Sequence, residues 1–212
     1  MSAYLAYSYS TGLTKEEQMK IILASKSGVR KKILDKYNIK NEVIVSNVDE
    51  EEIKESLLNE GADPLSISKN LAEIKSIKVS NKNPDRYVLG ADSVISLNKE
   101  LINKPKSREE AFFILKKLNN SKHFLISSVC ISINGAMVWN HTDSSELKMK
   151  NFNDDELSLY LNKIDTKILL AYGVYQIEAD GLELFEYIKG DKDSIMGLPI
   201  KEIINYIRQL KK

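Results

Sequence analysis

The run Phe124 to Ile133, FLISSVCISI, closes on Asn134-Gly135 and is followed by Ala136 to Asn140, AMVWN. Apolar, β-branched strands joined by an Asn-Gly pair signal an antiparallel hairpin, because the tight turn between them needs left-handed backbone at both central positions. At least one antiparallel strand pair is therefore required of any fold this chain adopts. Elsewhere strand-like and helix-like patterns alternate. Ile21 to Ala24 reads as a short strand, and the helix after it places Val29, Ile33, Leu34 and Tyr37 on one face. A second strand is expected in NEVIVS, residues 41–46, before the acidic stretch Asp49 to Glu52. From Pro64 the spacing of Ile67, Leu71, Ile74 and Lys78 predicts a helix capped by Asp63 or Ser66.

Arg86 to Leu97 reads as one long strand that carries Asp92 in its middle. Leu101 to Lys106 is a connector, and Ser107-Arg108-Glu109-Glu110 supplies a capping box for a helix with Ala111, Ile114, Leu115 and Leu118 inward. Residues 145–150 read as a further strand, Asn153 as a helix cap, and Tyr172 to Glu178 as strand-like. Ile200, Ile203, Ile204, Ile207 and Leu210 define a closing helix. The fold class expected is α/β, with a mixed, partly antiparallel sheet and flanking helices.

Charge and motif content narrow the function. Lys plus Arg number 31 against 30 Asp plus Glu, a net charge of +1, which leaves no global attraction for nucleic acid or anionic membrane. Recognition of a polyanion must therefore be local. The single cysteine, Cys130, lies in an apolar strand and reads as a buried thiol, and a reducing cytoplasm is the expected compartment. No apolar run is long enough to span a membrane. Two histidines and one cysteine do not supply a zinc set, and neither the nucleophile-elbow, Walker nor dinucleotide-fold glycine motif occurs. What remains is hard-cation chemistry on carboxylates, with Lys and Arg for phosphate oxygens.

Ile21 to Arg30, IILASKSGVR, is the segment suited to an anion. A strand runs into a turn where Ser27 can cap the helix and Ser25, Lys26 and Arg30 stand near its positive end. Capping alone would also account for the serine, and solvation for the cations. Asp92 emerges from an apolar strand after Gly90-Ala91, where a buried carboxylate needs a cation, a donor or a metal. Structural and catalytic roles satisfy that need equally. Lys75 lies beside the apolar face of its helix, and Lys104 is held on a restricted backbone before Pro105.

Taken in order, LASKSGVR (23–30), VDE (48–50), LAEIKS (71–76), GADSV (90–94), NKP (103–105), EEA (109–111), YGVYQIE (172–178) and LFEYIKGD…IMGLPI (184–200) resemble the Maf-like nucleoside triphosphate pyrophosphatases. The resemblance spans residues 20–210 and implies an inosine-triphosphatase-like fold, two lobes around a cleft, and a homodimer. Residues 1–18 show no strand pattern and Met19 immediately precedes the first strand, so Met19 is the expected functional start, 1–18 an extension and 19–212 a single catalytic domain. The implied reaction splits a nucleoside triphosphate into the monophosphate and pyrophosphate with Mg²⁺ or Mn²⁺. A regulator of cell division that binds nucleotide without turnover is the alternative.

Carried over by resemblance, Ser25 and Arg30 bind phosphate and Asp92 is the general base. Lys75 and Lys104 neutralise charge, and Glu42 takes the first acidic position and joins Asp92 on the metal. The family turn usually reads S-x-S-P-x-R, and Gly28 stands here in place of its proline. Val29, Ser93 and Glu178 fall where the family selects its base. The branch acting on dTTP and UTP carries Arg, Thr and Gln there, and the 7-methyl-GTP branch carries Glu at the last. Glu178 fits a guanine edge, whereas Val29 and Ser93 match neither branch, which leaves the base open.

Overall fold

The computed structural model of the chain describes residues 20–177 and 180–210. The expectations for residues 1–18, Met19 and Glu178 lie outside the described residues. Its strands are β1 (Ile21–Leu23), β2 (Asn41–Val43), β3 (Val88–Leu97), β4 (Glu100–Ile102), β5 (Lys122–Ile133), β6 (Ala136–Met149) and β7 (Phe185–Lys189). The helices are α1 (Gly28–Lys36), α2 (Glu50–Asn59), α3 (Pro64–Ser80), α4 (Arg108–Leu118), α5 (Asp154–Asn162), α6 (Thr166–Tyr172), α7 (Lys192–Ile195) and α8 (Ile200–Leu210).

One mixed sheet runs in the order β2-β1-β3-β5-β6-β7, with β4 paired to the far end of β3. β1 is parallel to β2 and β3, and every other pairing is antiparallel. The hairpin turn at Asn134 (φ 50°) and Gly135 (φ 76°) has the left-handed backbone its sequence calls for. Its return strand is longer than expected, because residues 136–140 and 145–150 merge into the single strand β6. The polar stretch between them stays in register through cross-strand pairs such as Ser128 Oγ with Thr142 Oγ1, 2.9 Å apart.

Most caps follow the sequence. Asp63 accepts from the Ser66 N–H at 2.7 Å, and Asn153 with Glu156 completes a reciprocal capping box. At α4 only half a box forms: Ser107 accepts the Glu110 N–H, while the Glu110 carboxylate accepts from Lys106 instead.

Two readings are corrected. Tyr172 to Ile177 is not a strand: Asp165 caps α6, which buries Leu169 and ends at Gly173 (φ 100°), and the chain then turns irregularly. Leu101 to Lys106 is not all connector, since Leu101 and Ile102 belong to β4 and pair with Ser96 and Ile95. The acidic stretch at Asp49 to Glu52 forms the N-cap and first turn of α2, where carboxylates complement the positive end of the helix dipole.

Two large apolar clusters pack at opposite ends of β3 and β5. One gathers Ile21, Leu23, Leu34, Leu89, Val129, Ile131 and Ile203, and the other Leu97, Leu115, Leu147, Leu157 and Leu169. Between them the strands turn polar. Asp92 faces Ser128 and Ser93 faces Ser127 across the ladder, and this waist is where a cavity opens. Cys130 is buried on β5 as expected.

Candidate active site

The cavity encloses about 440 Å³, within the range of pockets that hold a small ligand. Among the described residues its lining carries five cations, Lys26, Arg30, Lys54, Lys75 and Lys104, against two carboxylates, Glu50 and Asp92. A chain that is nearly neutral overall thus concentrates positive charge in one hollow, which suits a polyanion.

Helix α3 lies unusually close to β3. A Cβ on Gly90 would stand 2.1 Å from the Ala72 carbonyl oxygen and 2.8 Å from the Ser76 nitrogen, so only glycine permits this approach. Asp92 shares the face of Gly90, two residues on, and Lys75 lies one helical turn from Ala72. The result is a buried pair: Lys75 Nζ donates to Asp92 Oδ1 at 2.7 Å, both residues being 5% exposed. The same ammonium meets Glu50 Oε1 at 2.9 Å, so one cation bridges two carboxylates.

Their environments push the two acids apart. Burial raises the Asp92 carboxyl above its ordinary value, against the opposing attraction of Lys75 and Arg30. Burial also works to raise Glu50, but there Lys75, Lys104 and Lys54 prevail and hold it below the usual range. Carboxylates separated in this way can divide proton acceptance from charge.

Asp92 Oδ2 is buried and has no hydrogen-bond partner among the described residues. An unsatisfied carboxylate oxygen beside a second carboxylate fits a hard divalent cation, since Mg²⁺ takes one or two carboxylates and fills its remaining positions with water and phosphate oxygens. Glu50 is the residue that would hold it, at the phosphate side of Asp92.

Arg30 projects from the first turn of α1, whose N-cap Ser27 accepts the Arg30 N–H. Its guanidinium is thoroughly tied: Nη1 donates to Ser25 Oγ and to the Ala91 carbonyl at 3.0 Å each, Nη2 to Ser93 Oγ at 3.1 Å, and Nε to the Gly197 carbonyl at 2.9 Å. Four of the five N–H bonds of an arginine are thereby engaged. Lys104 stands at the rim and donates to the Ala171 carbonyl at 2.9 Å. Burial of its ammonium among neighbouring groups lowers its pKa, and Glu50 draws it back up.

Of the site residues expected, Ser25, Val29, Arg30, Lys75, Asp92, Ser93 and Lys104 all line this cavity. Glu42 does not, and the role given to it is corrected. Its carboxylate is engaged by Arg86 at 2.5 Å and Lys20 at 3.2 Å, away from the lining. The carboxylate that lines the cavity beside Asp92 is that of Glu50. The signal was present in Val48-Asp49-Glu50, in register with the other shared segments.

Fold and cavity together define an α/β protein with a polyanion-binding cleft built over a lysine-bridged carboxylate pair. Residues 20–210 match the family described as Maf-like protein, and the chain belongs to that family. A nucleoside triphosphate pyrophosphatase of Pelagibacter ubique is 58% identical over 90% of this chain and 98% of its own length. One from Ruegeria pomeroyi is 37% identical over 88% of this chain and 94% of its own. A 7-methyl-GTP pyrophosphatase of Brucella abortus is 33% identical over 91% and 97% respectively. The structure of the Staphylococcus aureus Ham1 protein aligns with 61% of this chain and 71% of that one, at a TM-score of 0.38 and 16% identity. No helix among the described residues is long and apolar enough to cross a membrane.

Proposed function

We propose that this protein hydrolyses a nucleoside triphosphate between the α and β phosphates, releasing the monophosphate and pyrophosphate. The observation that carries the reading is the Lys75 bridge between Asp92 and Glu50, with an unpartnered Asp92 oxygen in a cavity rich in cations. Names borne by family relatives point to the same reaction.

In this mechanism the water attacks phosphorus while Asp92 Oδ2 accepts its proton, a task helped by a pKa raised toward the working pH. Lys75 fixes the carboxylate through Oδ1 and leaves the other oxygen to act. A divalent cation, held by Glu50 at the phosphate side of Asp92, would neutralise phosphate charge while Asp92 Oδ2 stays free for the proton. Arg30, with most of its N–H groups committed to the protein, serves as a fixed positive charge with one donor left for phosphate. Lys26, Lys54 and Lys104 face the rest of the triphosphate chain. Val29 and Ser93 line the same cavity, and a part for them in choosing the base rests on the family resemblance.

The test is product analysis by ion-exchange chromatography after incubation with Mg²⁺ or Mn²⁺ and a panel holding dTTP, UTP, CTP, GTP and 7-methyl-GTP. Monophosphate with pyrophosphate is the expected outcome. Diphosphate with orthophosphate, or no turnover with any member, would refute it.

A further inference from the structure

The segment Asp191 to Leu198 grips both ends of α1. At the N-terminal end the Gly197 carbonyl accepts from Arg30 Nε at 2.9 Å. At the C-terminal end Asp193, 5% exposed, accepts from the Tyr37 hydroxyl at 2.6 Å and pairs with Lys36 Nζ at 3.2 Å. Neither Lys36, Tyr37 nor Asp193 lines the cavity.

The piece between the two grips is stiff. The Gly197 N–H bonds the Ser194 carbonyl and the Leu198 N–H bonds the Asp193 carbonyl, both at 2.9 Å, with Gly197 at φ 97°. These are the paired bonds of a Schellman closure at the end of α7, which fix the direction of the Gly197 carbonyl relative to Asp193. A second tie holds α7 to the sheet, where Ser194 Oγ donates to Asp143 and Asp143 also meets His141 Nε2 at 2.7 Å. At the far end the fit is tight: a Cβ on Gly197 would lie 3.1 Å from Ser93 Oγ and 3.3 Å from Arg30 Nε.

We propose that Asp193 is a positioning residue for the active site. It anchors the Schellman turn against the C-terminal end of α1, and the turn holds the Arg30 guanidinium in place through the Gly197 carbonyl. The consequence for turnover rests on the pyrophosphatase reading, whereas the placement of Arg30 does not. Tyr37 shares in the anchor as the donor to Asp193. Displacement of a fixed charge by a fraction of an ångström is felt in the chemical step, so the effect falls on kcat more than on KM.

The experiment compares the parent chain with Asp193→Ala, Asp193→Asn and Tyr37→Phe, each confirmed as folded by its melting transition. Two quantities are read: hydrogen exchange at the Arg30 Nε–H by ¹⁵N NMR, and kcat and KM for the best triphosphate. Asp193→Ala should speed the exchange and lower kcat by about tenfold, the scale of one lost charge-assisted hydrogen bond. Asp193→Asn, which can still accept from Tyr37, should restore most of both. If Asp193→Ala does not fold, Tyr37→Phe weakens the same anchor and should shift both readouts in the same direction. Unchanged exchange at Arg30 in a folded variant, with only the melting temperature lowered, would overturn the proposal. Absence of turnover in the parent would refute the pyrophosphatase reading, and the exchange measurement would still decide this one.

Discussion

Gly90 lies beneath the Ala72 carbonyl so closely that a Cβ there would stand 2.1 Å from the oxygen. That contact seats α3 on β3 and brings Lys75 to Asp92. Gly90→Ala must push helix and strand apart, at a cost of about 2–3 kcal/mol by the usual scale of overpacking. Urea unfolding should show the loss, and turnover should fall further than stability alone explains, because the 2.7 Å bridge opens.

Asp92→Asn keeps the shape and removes the proton acceptor. Turnover should drop by about 10²- to 10⁴-fold, the range for a general base, while the circular dichroism spectrum is retained. Unchanged turnover would exclude Asp92 as the base.

The Asp92 carboxyl gives a pH test in the metal-free protein. Burial raises its pKa above 3.8, so its protonation, followed by ¹³C NMR of the side-chain carboxyl, should have its midpoint above the ordinary aspartate range. A midpoint at or below 3.8 would count against the burial that sets this group apart.

Glu50 and Glu42 separate cleanly. Glu50→Gln removes a carboxylate from the cavity and should lower turnover by about 10²-fold, whereas Glu42→Gln loosens a surface pairing worth about 1 kcal/mol or less and should leave kcat within a factor of two. Equal effects would return Glu42 to the site.

His123 provides a pH test of stability. It is fully buried, its Nε2 lies 2.9 Å from the Tyr175 hydroxyl, and burial lowers its pKa from 6.5 to about 4. Between those values the unfolded chain takes up a proton that the folded chain refuses. Stability from this group is therefore complete above pH 6.5 and declines as pH falls toward about 4, by about 3 kcal/mol in all. Urea midpoints measured across that window should show the decline, and His123→Gln should flatten it.

Features with strong local chemistry were legible in the sequence. The Asn134-Gly135 turn, the Ser27, Asp63 and Asn153 caps, and the aspartate set in an apolar strand all declare themselves through short-range physics. α2 did not, because none of its residues is fully buried and its apolar face is only Ile53 and Leu57, one turn apart. Glu50 lies in the first turn of that helix, whereas Glu42 stands in a clear strand and takes the acidic role in the sequence reading. Tyr172 to Ile177 alternates like a strand, yet Gly173 breaks the chain and Tyr175 turns inward to His123. Such long-range pairings leave no local trace. The place of Arg30 in the first turn of α1 is local, whereas three of its four bonds to protein reach Ala91, Ser93 and Gly197, far along the chain.

β3 and β5 run unbroken past Asp92 from one apolar cluster into the other. A hinge cannot form where two neighbouring strands are laddered through the very point that would have to bend. The base of the cavity is thus a rigid beam, and substrate entry must be accommodated by its borders: the Ser25 turn, the stretch from Ala171 to Ile177, and the Met196-Gly197 corner.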